Sequence, residues 1–385
     1  MDSVVYAGFL VRFPIGGYAW QVVHYLTGLR NAGLDVYFYE DSRHYRVAYD
    51  PTTDRSGTDY SYGCAFARAF LERAGFGDRW VFHDAERDEF AGLDRERTRA
   101  MFSDARVLIN AGGVNRFPSE VRRGKRTVYI DMDPAFTQLR VAGGDRVLDE
   151  LLREHELHFT FGENIGTARS AVPDAGFEWR PTRQPVVLEL WPPTPVAADA
   201  PFTTIGKWDT PGRDVVLNGE RYTWRKRTEF LKVLELPRLT GAPFRIAMDV
   251  KDPADLRMLD QAGWNPFDPL GLSRDPDAYR RFISGSRAEF TTAKDVNVRL
   301  HSGWFSDRSA CYLAAGRPVL TQDTGFGDVL PTGEGLFAYR TLDDAVAAVQ
   351  AIMSEPERHS RAARRVAEGC FAAQQVVEKL LEPTV

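Results

Sequence analysis

The chain has 385 residues, enough for two domains at ~100–200 residues each. Fifty-four acidic against 49 basic side chains leave a net charge of −5, too small an imbalance for a general polyanion binder. Hydrophobic residues at 43% and aromatic residues at 12% exclude a disordered or coiled-coil chain, and no apolar run approaches the ~20 residues of a membrane span.

The N-terminal MDSVVYAGFL lacks a basic region ahead of its apolar stretch, so it reads as a strand and the expected location is cytoplasmic. VVYAGFLV (4–11) predicts a buried strand, RFPIGG (12–17) a glycine-proline loop, AWQVVHYLTGLRNAG (19–33) a helix ending on Gly33, and DVYFYED (35–41) the next strand. This is a βαβ unit, which requires a parallel sheet covered on both faces. ARVLINAGG (105–113), RTVYIDMDP (126–134) and HFTFGENIG (158–166) repeat the pattern. Prolines cluster between 172 and 202. A second set of strands follows at 202–208, 243–250, 287–293 and 317–323, with helices at 224–236, 275–284 and 306–315. The last thirty residues predict one long amphipathic helix. Cys64, Cys311 and Cys370 are far apart and show no C-x-x-C pairing, so neither a disulfide framework nor a zinc site is expected.

The expected fold is α/β, with two successive Rossmann-like doubly wound domains and the ligand site in the cleft between them. The division is 1–180 for the first domain, 181–201 for the linker, 202–356 for the second domain and 357–385 for the terminal helix. The densest signal is HSGWFSDRSACYLAAGRPVLTQDTGF (301–326): a short loop, a helix capped by Ser306 or Asp307 and stopped by Gly316, then a strand with Asp323 at its tip. Free N–H groups at such a helix start attract anions.

At these residues the chain resembles the GT-B glycosyltransferases. HSGW (301–304) is similar to the HCGW of nucleotide-sugar transferases that act on small molecules, and AAGRPV (314–319) is similar to the family's A-x-G-x-P-V segment. The resemblance implies a GT-B fold whose C-terminal helix crosses back to the first domain. It implicates His301, Ser302, Gly303 and Ser306 in donor phosphate binding, with Gly16 and Gly17 approaching from the first domain; Asp307 and Arg308, at the same helix start, are expected there too. Asp323 and Thr324 are expected at the donor sugar, and Lys207, Trp208, Glu289 and Lys294 near the nucleoside. Many retaining members carry a pair of glutamates at positions that are Gly303 and Cys311 here, which favours an inverting outcome. The histidine that serves as catalytic base in the HCGW enzymes has no counterpart in 12–19.

An inverting transfer needs a base for the acceptor proton and a cradle for the leaving diphosphate. Asp131 or Asp133, in the D-M-D at 131–133, is the expected base; a helix cap or turn before Pro134 is the bland reading, and metal chelation a minor one. His24, on an apolar helix face, reads as a core histidine. Glu163 and Asn164 follow a strand and are weaker candidates, as is the basic triplet Arg225, Lys226 and Arg227. The expected activity is transfer of a sugar from a nucleoside-diphosphate sugar to a small-molecule or glycan acceptor, without a metal or other cofactor and with nucleic acid an unlikely partner. A nucleotide-sugar epimerase and a degenerate binding protein on the same frame are the alternatives. Acceptor choice is expected in first-domain loops such as 43–62 and 84–100.

Overall fold

The structure, a computed structural model, describes residues 2–210 and 212–382. Its first sheet has eight strands. In spatial order they are Trp179–Pro181, Leu157–Thr160, Arg126–Asp131, Ala105–Ala111, Ser3–Ala7, Asp35–Asp41, Trp80–Asp84 and Glu89–Gly92. All neighbours are parallel except the final pair, Trp80–Asp84 with Glu89–Gly92. The second sheet is wholly parallel, in the order Pro266–Phe267, Phe244–Asp249, Phe202–Lys207, Ala288–Thr291, Val319–Gln322, Leu336–Tyr339. Helices cover both sheets, as buried parallel strands demand. Val4, Val5, Tyr6 and Ala7 are all sealed from solvent, so the central strand is apolar on both faces.

The first strand stops at Ala7, four residues before its apolar run ends. The cause is Glu40, whose carboxylate accepts from the backbone N–H groups of Leu10 (2.8 Å), Val11 (2.6 Å) and Arg12 (3.0 Å) and bends the chain into a loop. The Arg12 guanidinium closes the knot on Glu40 at 2.8 Å, with both side chains fully buried. It also donates to the carbonyls of Tyr45 and Val114 and to Asn115 Oδ1. Gly16 and Gly17, expected in this loop, are instead the first residues of the helix Gly16–Asn31.

Two other expectations change. The 224–236 helix is two short ones, Arg227–Leu231 and Leu236–Thr240, the second opening with Pro237 in its first turn. The terminal helix is also two, Pro356–Cys370 and Ala373–Leu381; the stretch expected up to 385 runs past the described residues. The break lets the chain pair with Val186, whose N–H donates to Phe371 O (2.7 Å) and whose carbonyl accepts from Ala373 N–H (3.0 Å). Phe371 is buried there, stacked on Phe305. Ala373–Leu381 then lies on the first helix, where Gly28 leaves no room for a Cβ beside Ala373. No described helix is long and apolar enough to cross a membrane.

The domains touch directly. Trp20 Nε1 donates to Pro276 O at 2.8 Å, and a Cβ on Gly16 would stand 2.9 Å from Tyr279 Cβ. The ring nitrogens of His24 face the N–H groups of Val187 (3.1 Å) and Trp191 (3.0 Å) in the segment joining the domains. Burial pushes the His24 pKa down to about 3, so the ring is a neutral packing element. Glu40→Ala leaves a buried guanidinium unpaired and is expected to cost about 3–5 kcal/mol in denaturant unfolding.

Candidate active site

The strands of both sheets present their C-terminal ends to a shared cleft, where open parallel sheets bind ligands. From the second domain, the helix Asp307–Ala314 points its first turn into this cleft. Ser306, at its N-cap, makes no side-chain bond to the helix backbone, so most of the helix-start N–H groups are unclaimed by a cap. Asp307 Oδ1 accepts from the Arg308 N–H at 2.8 Å. As a carboxylate it supplies no donor to a phosphate, contrary to the role expected of it.

Beside this turn stand three cations. Arg308 donates to Glu289 Oε1 (2.5 Å), Ile205 O (2.6 Å) and Thr291 Oγ1 (3.1 Å). Lys226 Nζ donates to the same Thr291 hydroxyl at 2.9 Å. Burial and the neighbouring charge of Arg308 hold the Lys226 pKa well below that of a free lysine. Lys294 Nζ lies 3.2 Å from the centre of the Trp224 ring and 3.5 Å from Asp133 Oδ1. Burial brings its pKa down to about 8, against the opposing pull of Asp133. Glu289 is wholly buried, and its second oxygen has no partner. It holds Arg308 by an ion pair.

The first domain contributes Tyr18 and Asp133. Asp133 is 41% exposed and reaches across the cleft to Lys294 and to Arg213 (3.3 Å). Arg213 lies over the rings of Phe136 and Trp224. Asp131 differs altogether. It is fully buried and accepts from Thr137 (2.7 Å), Gln138 (2.8 Å) and Thr160 (2.9 Å). Burial raises its pKa to about 6 despite these bonds. With both oxygens occupied and no solvent access, Asp131 is not placed to meet an acceptor hydroxyl. Among the described residues no three His, Cys, Asp or Glu side chains stand together in metal-binding geometry.

Other expected site residues serve the junction between domains. The Ser302 hydroxyl donates to Asn297 Oδ1 (2.8 Å) and accepts from Trp304 N–H (3.2 Å). Gly303 has φ 79° and abuts the first-domain turn so closely that a Cβ would lie 2.7 Å from Asn164 N. Asn164, fully buried, donates its side-chain amide to Gly325 O (2.9 Å) and its N–H to Ser302 O (3.1 Å). Glu163 pairs with Arg183 at 2.7 Å. Asp323 accepts from Gly325 N–H (2.8 Å) and Arg340 (2.7 Å), and Thr324 donates to Trp304 O (2.6 Å). The side chains expected at the donor sugar are therefore engaged inside the protein. Trp208 is buried in the second core with its indole N–H on Asp255 (2.8 Å). Lys207 and His301 are exposed. Tyr18, Arg213 and Trp224 carried no sequence signal; Lys226 did, as part of a basic triplet.

Comparison with known proteins accords with this architecture. The family described as Glycosyl transferase-like matches residues 219–382. Three solved structures illustrate the likeness over the whole chain. One is AviGT4, a glycosyltransferase involved in avilamycin A biosynthesis (11% identity, TM-score 0.54, covering 99% of this chain and 96% of that one). Another is an alpha-glucosyltransferase in complex with UDP and a 13-mer DNA containing a central A:G mismatch (10%, 0.58, 99% and 98%). A third is Anabaena Alr3699/HepE in complex with UDP (12%, 0.54, 99% and 99%). No curated protein matches the sequence. The two facing parallel-sheet domains are the GT-B fold, and the match to the glycosyltransferase-like family lies over the second of them.

The two aspartates separate cleanly by substitution. Asp131→Ala strands three buried donors and is expected to lower unfolding stability by about 2–4 kcal/mol, whereas Asp133→Ala, at an exposed pair, is expected to change it by less than about 1 kcal/mol.

Proposed function

We propose that the enzyme takes its sugar from a nucleoside-diphosphate sugar and passes it, with inversion and without a metal ion, to a hydroxyl of a small-molecule or glycan acceptor. The observation that carries this reading is the convergence of Lys226, Arg308 and Lys294 at an uncapped helix start facing the first domain. Three cations and a helix dipole can neutralise a leaving diphosphate by themselves. The UDP bound in relatives of the same fold is consistent with it.

Asp133 is the base in this scheme, because it is the one member of the D-M-D pair with solvent access. It takes the acceptor proton while the acceptor oxygen bonds to the anomeric carbon. The bond from that carbon to the diphosphate breaks, and the electron pair leaves with the phosphate toward Lys226, Arg308 and Lys294. Glu289 acts through Arg308 as a positioning residue, and the exposed His301 extends the donor contacts. Inversion is favoured by the residues at the two retaining positions: Gly303 packs against Asn164, and Cys311 is a buried thiol 3.8 Å from His24. Neither offers a carboxylate to the sugar.

Calorimetric titration with UDP is expected to show binding without Mg²⁺ that weakens about tenfold or more in Lys226→Ala, a loss of about 1.4 kcal/mol or greater. Asp133→Asn is expected to lower transfer by about 10²–10⁴-fold with UDP affinity retained; an unchanged rate sinks the base assignment, and proton NMR of the first-formed anomer decides the stereochemistry. Lys294 also makes a pH prediction. A diphosphate binds its charged form, which is lost as pH rises through about 8. UDP affinity should therefore fall between pH 7 and 9.5, and Lys294→Arg should flatten the profile.

A further inference from the structure

The loop that Arg12 and Glu40 hold in place carries rings. Phe9 and Phe13 lie on it, Tyr18 follows in the first helical turn, and Tyr45 and Tyr49 come from the next loop and its short strand. The five make one contiguous cluster. Phe13 stacks on Tyr45 (centroids 6.3 Å, planes 24° apart) and on Tyr49 (6.2 Å, 23°), while Phe9 meets Phe13 at 5.1 Å and Tyr18 at 5.5 Å. The Arg12 guanidinium braces the cluster from behind, 4.7 Å from the Phe9 ring centre.

These rings are not core. Phe9, Phe13, Tyr18 and Tyr49 are half-buried, and Tyr45 is 45% exposed. A contiguous cluster of rings left partly open to solvent beside a cleft marks a binding surface. Its position is fixed from two sides. Gly17, next to Tyr18, lines the same cavity as Asp307 and Arg308, and the charges of Asp133, Asp307 and Arg213 bear on the Tyr18 phenol. Tyr49 donates to Asp54 (2.9 Å), which pairs with Lys251 of the second domain (3.0 Å). The cluster therefore runs along the first-domain wall from the proposed base to the outer rim.

The rim is polar. Arg43, His44 and Arg46 are exposed around Tyr45, and the phenols of Tyr18, Tyr45 and Tyr49 add hydroxyls. A ligand suited to this surface has a flat apolar face for the rings and a girdle of hydroxyls for the rim. A pyranose has both, with axial C–H bonds on its faces and hydroxyls at its edge. A plain aromatic ring would use the stack and leave the rim without partners.

We propose that Phe9, Phe13, Tyr18, Tyr45 and Tyr49 form the acceptor platform, and that the acceptor is a glycoside stacked by its ring on this cluster with a hydroxyl turned toward Asp133. This rests on the glycosyltransferase reading above and adds the acceptor's chemical class to it.

Saturation-transfer NMR on the full chain tests it with methyl glucoside, methyl galactoside, methyl mannoside, 2-naphthol and UDP as probes. At least one methyl glycoside is expected to receive saturation on its ring C–H protons. Its binding should weaken about five- to tenfold in Tyr45→Ala, the size of one lost aromatic contact, and persist in Tyr45→Phe. Tyr45 is exposed, so folding is expected to survive, and unchanged UDP binding in each variant verifies that it has. Saturation of 2-naphthol alone, an equal glycoside signal in Tyr45→Ala, or UDP binding with no glycoside signal would each overturn the platform. Failure of UDP to bind the wild type strikes the donor reading instead, and the glycoside arm then decides the platform separately.

Discussion

A charge pair sealed from water governs the face that this enzyme turns toward its substrates. Arg12 and Glu40 have no solvent exposure at all, and taking such ions out of water is costly unless their remaining hydrogen-bonding groups are satisfied. Here they are: three backbone N–H groups converge on Glu40, and the guanidinium reaches the 45 and 114–115 loops. An apolar pair could fill the same space but would leave those N–H groups orphaned. The network thus converts the end of a strand into a loop of fixed shape. The start of the first helix, the aromatic cluster and the contact with Tyr279 all inherit their placement from it.

Across the cleft the logic is electrostatic. Cations crowd at the Asp307–Ala314 helix start, each tethered so that it cannot swing away: Arg308 by Glu289, Lys226 by Thr291, Lys294 by Asp133 and Trp224. Burial and mutual repulsion both work against the charged forms, and they lower the pKa of Lys226 and of Lys294. An arriving dianion relieves both costs. Asp133, meanwhile, links the domains, so the group proposed to act on the acceptor is also one that senses whether the second domain is in place.

The fold was legible in the sequence because its signal is periodic and redundant. Apolar strands at 35–41, 105–111 and 126–131 end in small or acidic residues. Strand and helix ends were less so: nothing local in VVYAGFLV announces that Glu40, some thirty residues on, will take its last N–H groups. The site was half legible. HSGW reads as a phosphate loop, yet its Ser302 and Gly303 secure the loop to Asn164, because small residues are demanded by close backbone approach as often as by a ligand. The D-M-D pair could not be divided from sequence, since only the fold buries Asp131 and leaves Asp133 in the open. Arg213 and Trp224 flank a small hairpin with no motif, and only tertiary structure brings them to the cleft.

The polypeptide passes between the domains twice, through 181–201 and again at 371–372, and the two passages are hydrogen-bonded to each other at Val186. Two separate tethers would let the domains slide or twist as well as swing. Two tethers stitched together at one point behave as a single pin, so the motion left to the domains is rotation about it. The Asn164–Gly325 contact lies close to this pin, because Phe326, next to Gly325, packs on Phe305 (5.4 Å), which in turn stacks on Phe371. The molecule is in this sense a jaw with one pivot, and the Asn164–Gly325 junction beside Phe371 belongs to its bearing rather than to its grip.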